Sequence, residues 1–147
     1  MKKAAADKLG AVLANVINVS IILVFTFRLL GEPRIGHWTG IIAELAIFPL
    51  LFLFFTAGQF RRSRIYYLWI GLMVVFLIVE FILDWYPGVD FRDNLSAVIP
   101  YVMLLFGAAG GMIGVAGLAG KRWALVTVAT FLAMFVLAFV QRGVTGL

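Results

Sequence analysis

Five long apolar runs alternate along the chain with short clusters of charged, aromatic and helix-breaking residues. The runs cover approximately residues 9–30, 39–58, 65–85, 95–119 and 124–140. Each is about the length a helix needs to cross the hydrocarbon core of a bilayer. The pattern predicts an all-α fold, a polytopic membrane helix bundle of five transmembrane helices in one integral-membrane domain over residues 1–147. The first run is too long for a signal-peptide core and lacks a convincing small-residue cleavage site, so it reads as a retained span.

Within the first run Asn15, Asn18, Ser20 and Thr26 break the apolar sequence. In lipid such side chains are expected to hydrogen-bond to a neighbouring helix. Gly31, Pro33 and Gly36 are expected to stop that helix, and Trp38 marks the interface before the second span. Glu44 then falls roughly 7 Å inside the second span at the usual helical rise. Pro49 cannot donate to the Leu45 carbonyl, which leaves an acceptor exposed beside Glu44 along the chain.

The third run follows Arg61, Arg62 and Arg64 and carries Glu80 and Asp84 near its far end. Aromatic residues cluster at both its ends, Tyr66, Tyr67 and Trp69 at one and Trp85 and Tyr86 at the other, as headgroup-seeking rings do. Charged so differently at its two ends, this helix is expected to set the orientation of the whole bundle and to organise it. The following connection, residues 86–94, holds Asp90, Arg92 and Asp93, and Asp93 or Asn94 is placed to cap the fourth helix. That helix carries Pro100 and Tyr101 first and a glycine run afterwards. Gly107 with Gly111 and Gly110 with Gly114 form two overlapping GxxxG pairs, which let helix backbones approach closely. The run lacks the lysine and preceding strand of a phosphate-binding loop. Helix packing is therefore its expected role.

Composition sharpens this picture. With 64% hydrophobic and 13% charged residues over 147, and a mean hydropathy of +1.09, the chain cannot cover a water-facing surface. Lipid is its expected solvent and partner. The net charge of +5 does not indicate nucleic acid, because the cations flank the spans instead of lining one face. Without cysteine, disulfides, thiol catalysis, iron–sulfur ligation and cysteine zinc sites are excluded. The single histidine, His37, cannot supply paired haem ligands or a multi-histidine metal site, and no cofactor or metal is expected.

Orientation follows from the basic residues. Lys2, Lys3, Lys8, Arg61, Arg62, Arg64, Lys121 and Arg122 fall on one side; Arg34, Arg92 and Arg142, with Arg28 just inside the membrane, fall on the other. The positive-inside rule places the N-terminus in the cytoplasm and the C-terminus outside. Arg28, Glu44, Glu80, Asp84, Tyr101 and Gln141 then share the outer third of the bilayer. Intramembrane ionisable groups are costly and mark functional sites by default. Arg28 and Asp84, so near helix ends, are read first as a structural pair partner and a snorkelling residue, and only then as functional groups. Glu44 and Glu80 are expected to line a shared polar pocket, with Tyr101 beside them and Arg28 paired to at most one carboxylate.

No nucleophile motif accompanies these groups, so the chain does not read as an enzyme. The expected function is binding or transport of a small or lipid-like solute, a cation or a proton through an outward-facing polar pocket. The alternative is a non-catalytic structural or assembly subunit of a larger membrane complex. The expected setting is a prokaryotic plasma or inner membrane, with the chain as a homo-oligomer or part of such a complex.

Overall fold

The computed structural model describes residues 2–85 and 94–145, leaving out the side chains of Asp84, Leu95 and Thr145. The described residues form six α-helices and no strand: α1 (Lys3–Leu29), α2 (Pro33–Leu45), α3 (Ile47–Thr56), α4 (Arg64–Trp85), α5 (Leu95–Ala119) and α6 (Lys121–Thr145). A short 3-10 turn, Ala57–Phe60, extends α3. Because α2, α3 and this turn run on as one element, five helices are long and apolar enough to cross a membrane. By length and composition this is a multi-pass membrane protein. The acidic connection around Asp90 and Asp93 lies outside the described residues.

Local chemistry explains the boundaries. Helix α1 ends in a Schellman arrangement: Gly31 N–H reaches the Arg28 carbonyl and Glu32 N–H reaches the Phe27 carbonyl. Gly31 takes the left-handed φ of +77° that this closure needs. Pro33 opens α2 at a position where its missing N–H costs nothing. The second span therefore starts at Pro33, earlier than the hydropathy implies, and Gly36 lies inside the helix instead of stopping it. A β-carbon at Gly36 would sit 3.2 Å from the Val24 carbonyl oxygen, so this glycine is where α2 crosses α1. At Ala46 the helix breaks as Pro49 requires: Ala46 N–H turns back to the Ala43 carbonyl, and Leu50 resumes the ladder on Ala46. Asn94 caps α5, its side-chain oxygen accepting from Ser96 N–H at 3.2 Å.

Packing centres on α1, not on α4 as the charge pattern led one to expect. Helix α1 lies along α2, α5 and α6, while α4 packs along α5 and α3. The reason is side-chain size. Ala6, Gly10, Ala11 and Ala14 are all small and buried and let three neighbours approach one helix. A β-carbon at Gly10 would overlap the Val115 side chain of α5. In lipid, association rests on close packing and interhelical hydrogen bonds, not on escape from water.

Helices α1 and α6 run parallel and are joined by a polar ladder. Asn15 Nδ2 donates to Thr127 Oγ1 at 2.9 Å and Asn18 Nδ2 to Thr130 Oγ1 at 3.1 Å. Thr130 Oγ1 in turn lies 3.2 Å from Asn15 Oδ1 as a donor. Asn15 and Asn18 thus bond across helices, as amides in lipid are expected to. Thr26 instead closes on the Ile22 carbonyl of its own helix. Asn18 is fully buried and its Oδ1 has no hydrogen-bond partner.

Candidate functional site

The end of the bundle where α1 closes and α2 begins gathers the predicted site residues. Arg28 stands in the last turn of α1, half-buried, with its aliphatic stem 3.6 Å from the position a Gly36 β-carbon would take. Glu44 stands on α2, eleven residues after Pro33, or about 16 Å along the helix axis. It is set deeper than a span starting at Thr39 implies. Half-buried, it accepts a hydrogen bond from Trp85 Nε1 of α4 at 3.1 Å. Glu80, also half-buried, accepts from the Tyr101 hydroxyl of α5.

Both carboxylates therefore engage α4, and the two bonds tie α2, α4 and α5 in series. Trp85 and Glu80 are five residues apart, about 140° around a helix, so the carboxylates flank the end of α4. Tyr101 is brought to Glu80 directly. Its ring also lies 6.4 Å from that of Phe76, at 42°. Gln141, at the far end of α6, is buried. The side chain of Asp84 lies outside the described residues.

Two residues of this cluster were not singled out by sequence. By hydropathy His37 falls before the second span, yet it stands on α2, its ring 5.1 Å from that of Trp85. Trp85, an interfacial ring by its place in the sequence, is also the donor to Glu44. The usable signal was spacing: His37 and Glu44 are seven residues apart and so share one face once the helix is known to start at Pro33. Histidine and carboxylate both exchange protons and both bind cations or polar headgroups. The cluster thus holds groups suited to that chemistry, with aromatic donors that orient them.

The glycines of α5 divide by face. A β-carbon at Gly111 would sit 2.6 Å from the Trp69 carbonyl oxygen of α4, and one at Gly114 would sit 2.5 Å from the Trp69 ring. Gly107 would make ordinary 3.5 Å contact with Leu72, and Gly110 would meet nothing within 4 Å. The close approach of α5 to α4 thus runs through Gly107, Gly111 and Gly114, leaving Gly110 outside it.

At the opposite end, Asp7 of α1 pairs with the Arg62 guanidinium just before α4. Arg62 also lies 4.9 Å above the Tyr66 ring, a cation–π geometry. Asp7 sits among the lysines of a basic head, and its partner is 55 residues away, so only the fold reveals the pair.

The chain matches no family model, no curated protein and no solved structure.

Proposed function

We propose that this protein binds or transports a small polar or lipid-like solute, a cation or a proton at the end bearing Glu44 and Glu80. The observation that carries this reading is the pair of half-buried carboxylates inside the spans, on separate helices, each held by an aromatic donor from the next helix. Packing alone needs only small residues and neutral amides, which this chain deploys elsewhere. Carboxylates in lipid are expensive, and a fold retains them where their charge or proton is used. Glu44, Glu80, Tyr101, Arg28 and Asp84 are the proposed site residues, now joined by His37 and Trp85. The chemistry is non-enzymatic.

In this reading the N-terminus is cytoplasmic and the C-terminus outside, so the site opens outward from a prokaryotic plasma or inner membrane. The cation asymmetry supports that orientation. The second reading, a structural or assembly subunit, draws support from the Asn–Thr ladder, since it shows polar residues of this chain serving helix association.

Proteoliposomes enclosing a pH-sensitive dye, under proton, sodium or potassium gradients, test the first reading. Wild-type protein is expected to dissipate at least one gradient, and Glu44→Gln or Glu80→Gln to stop it in a protein that still folds. Wild-type vesicles no leakier than empty ones would refute cation and proton transport and favour the assembly subunit.

A further inference from the structure

The ladder between α1 and α6 keeps a constant offset of 112 residues. Carried back along both helices, it sets Lys8 level with Gly120, beside Lys121 and Arg122. Eight and fifteen are seven residues apart, so Lys8 lies on the same face of α1 as Asn15, toward the start of α6. The Asp7–Arg62 pair brings Arg61 and Arg64 to the same end. Lys2 and Lys3 open α1 there as well. All these cations except Arg62 are exposed. Among the described residues Asp7 is the single carboxylate at this end, and Arg62 occupies it. Helices α1, α4 and α6 begin here with no acidic residue in their first turns.

The rule that retains cations on one side of the membrane accounts for their side; the ladder register adds that Lys8, Lys121 and Arg122 fall at one level, where α6 begins beside α1. Like charges gathered at one level repel one another, and an anion among them offsets that repulsion. Arg122 and Lys121, five and six residues before the α1-facing Thr127, turn about 120–140° away from it, onto the side of α6 where Leu125, Val126 and Leu132 are exposed. Half-buried Trp123 stands at the junction, where an indole sits at headgroup depth.

We propose that this cationic end of the α1–α6 pair binds the headgroup of an anionic phospholipid. Lys8, Lys121 and Arg122 meet the phosphate, and the acyl chains lie on the apolar face of α6. Arg61 and Arg64 add a general attraction for the anionic leaflet.

The test uses the full chain in a neutral detergent, with thermal unfolding followed against added dioleoylphosphatidylglycerol or dioleoylphosphatidylcholine. The anionic lipid is expected to raise the melting temperature, less so as salt increases, and the zwitterionic lipid to leave it unchanged. Each surface cation is worth roughly a fivefold change in affinity, so Lys8→Gln/Arg122→Gln should shift the anionic-lipid midpoint about 25-fold. Lys121→Gln alone should shift it about fivefold. Arg34→Gln removes an exposed cation from the opposite end and should keep the full response. Equal response to both lipids, an unshifted midpoint in the Lys8 and Arg122 variant, or equal stabilisation by inorganic phosphate would each overturn the lipid site.

Discussion

Replacing Gly111 by alanine adds one methyl group to the tightest point between α4 and α5. That methyl would stand 2.6 Å from the Trp69 carbonyl oxygen, 3.1 Å from its Cα and 3.2 Å from its carbonyl carbon. Reaching an ordinary 3.4 Å contact requires the two backbones to part by about 0.8 Å there, and no side-chain rotation can relieve a clash with main chain. Overpacking of this kind costs about 1–3 kcal/mol. Alanine returns about 1 kcal/mol through helix propensity, so a net loss of up to about 2 kcal/mol is expected, and a loss of about 1–3 kcal/mol relative to an alanine that meets no clash. Gly114→Ala meets the Trp69 ring at 2.5 Å, and a ring can shift, so its loss should be smaller. Gly110→Ala meets nothing within 4 Å and should be neutral, or stabilising by up to about 1 kcal/mol. Equilibrium unfolding in mixed detergent–SDS micelles, followed by far-ultraviolet circular dichroism, ranks the three. If Gly111→Ala proves as stable as Gly110→Ala, the close approach of α5 to α4 through this glycine is wrong.

In the same assay Asn15→Leu should lose about 1 kcal/mol, because both ends of its amide are bonded to α6. Asn18→Leu should lose less, since it also removes a buried acceptor that has no partner; a larger loss at Asn18 would contradict this. Asp7→Asn leaves the nearly buried Arg62 guanidinium without its counter-charge and should lower stability by about 3 kcal/mol, and Asp7→Leu/Arg62→Met should recover most of it. Unchanged melting of Asp7→Asn would show the pair to be dispensable. By nuclear magnetic resonance in micelles, the Trp85 indole N–H signal should move in Glu44→Gln and stay in Glu80→Gln, since only Glu44 receives that proton. The reverse pattern would dissolve the α2–α4 link.

The spans were legible because hydropathy reports helix length in lipid directly. Their ends were less so. Helix α1 begins at Lys3, since the alanine- and lysine-rich head is itself helix-forming and runs on beyond the apolar stretch. Gly36 carries the same letter as the helix-stopping Gly31, and only its 3.2 Å approach to the Val24 carbonyl shows that it serves packing. Charge drew attention to α4, whereas the centre of the bundle is α1, whose mark is a run of small residues. Of the site, the ionisable residues could be read directly, but not their partners. Thr127 and Thr130 look like ordinary polar interruptions until α6 is laid parallel to α1. Trp85 and Tyr101 could be placed at helix ends by type, while their bonds to Glu44 and Glu80 depend on which helices are neighbours.

Those partners decide what a carboxylate substitution can reveal. A carboxamide keeps an oxygen that can accept from the Tyr101 hydroxyl, so Glu80→Gln preserves the α4–α5 link while removing the charge. Likewise the amide oxygen of Glu44→Gln can still accept from Trp85 Nε1. Alanine at either position would take away charge and link together and confuse function with folding. The glutamine variants thus separate what the hydrogen bond does, which is to hold α2, α4 and α5 together at one end, from what the charge does. If those variants fold as the wild type does, any change in gradient dissipation belongs to the charge or its proton. That is the distinction on which the transport reading and the assembly reading part.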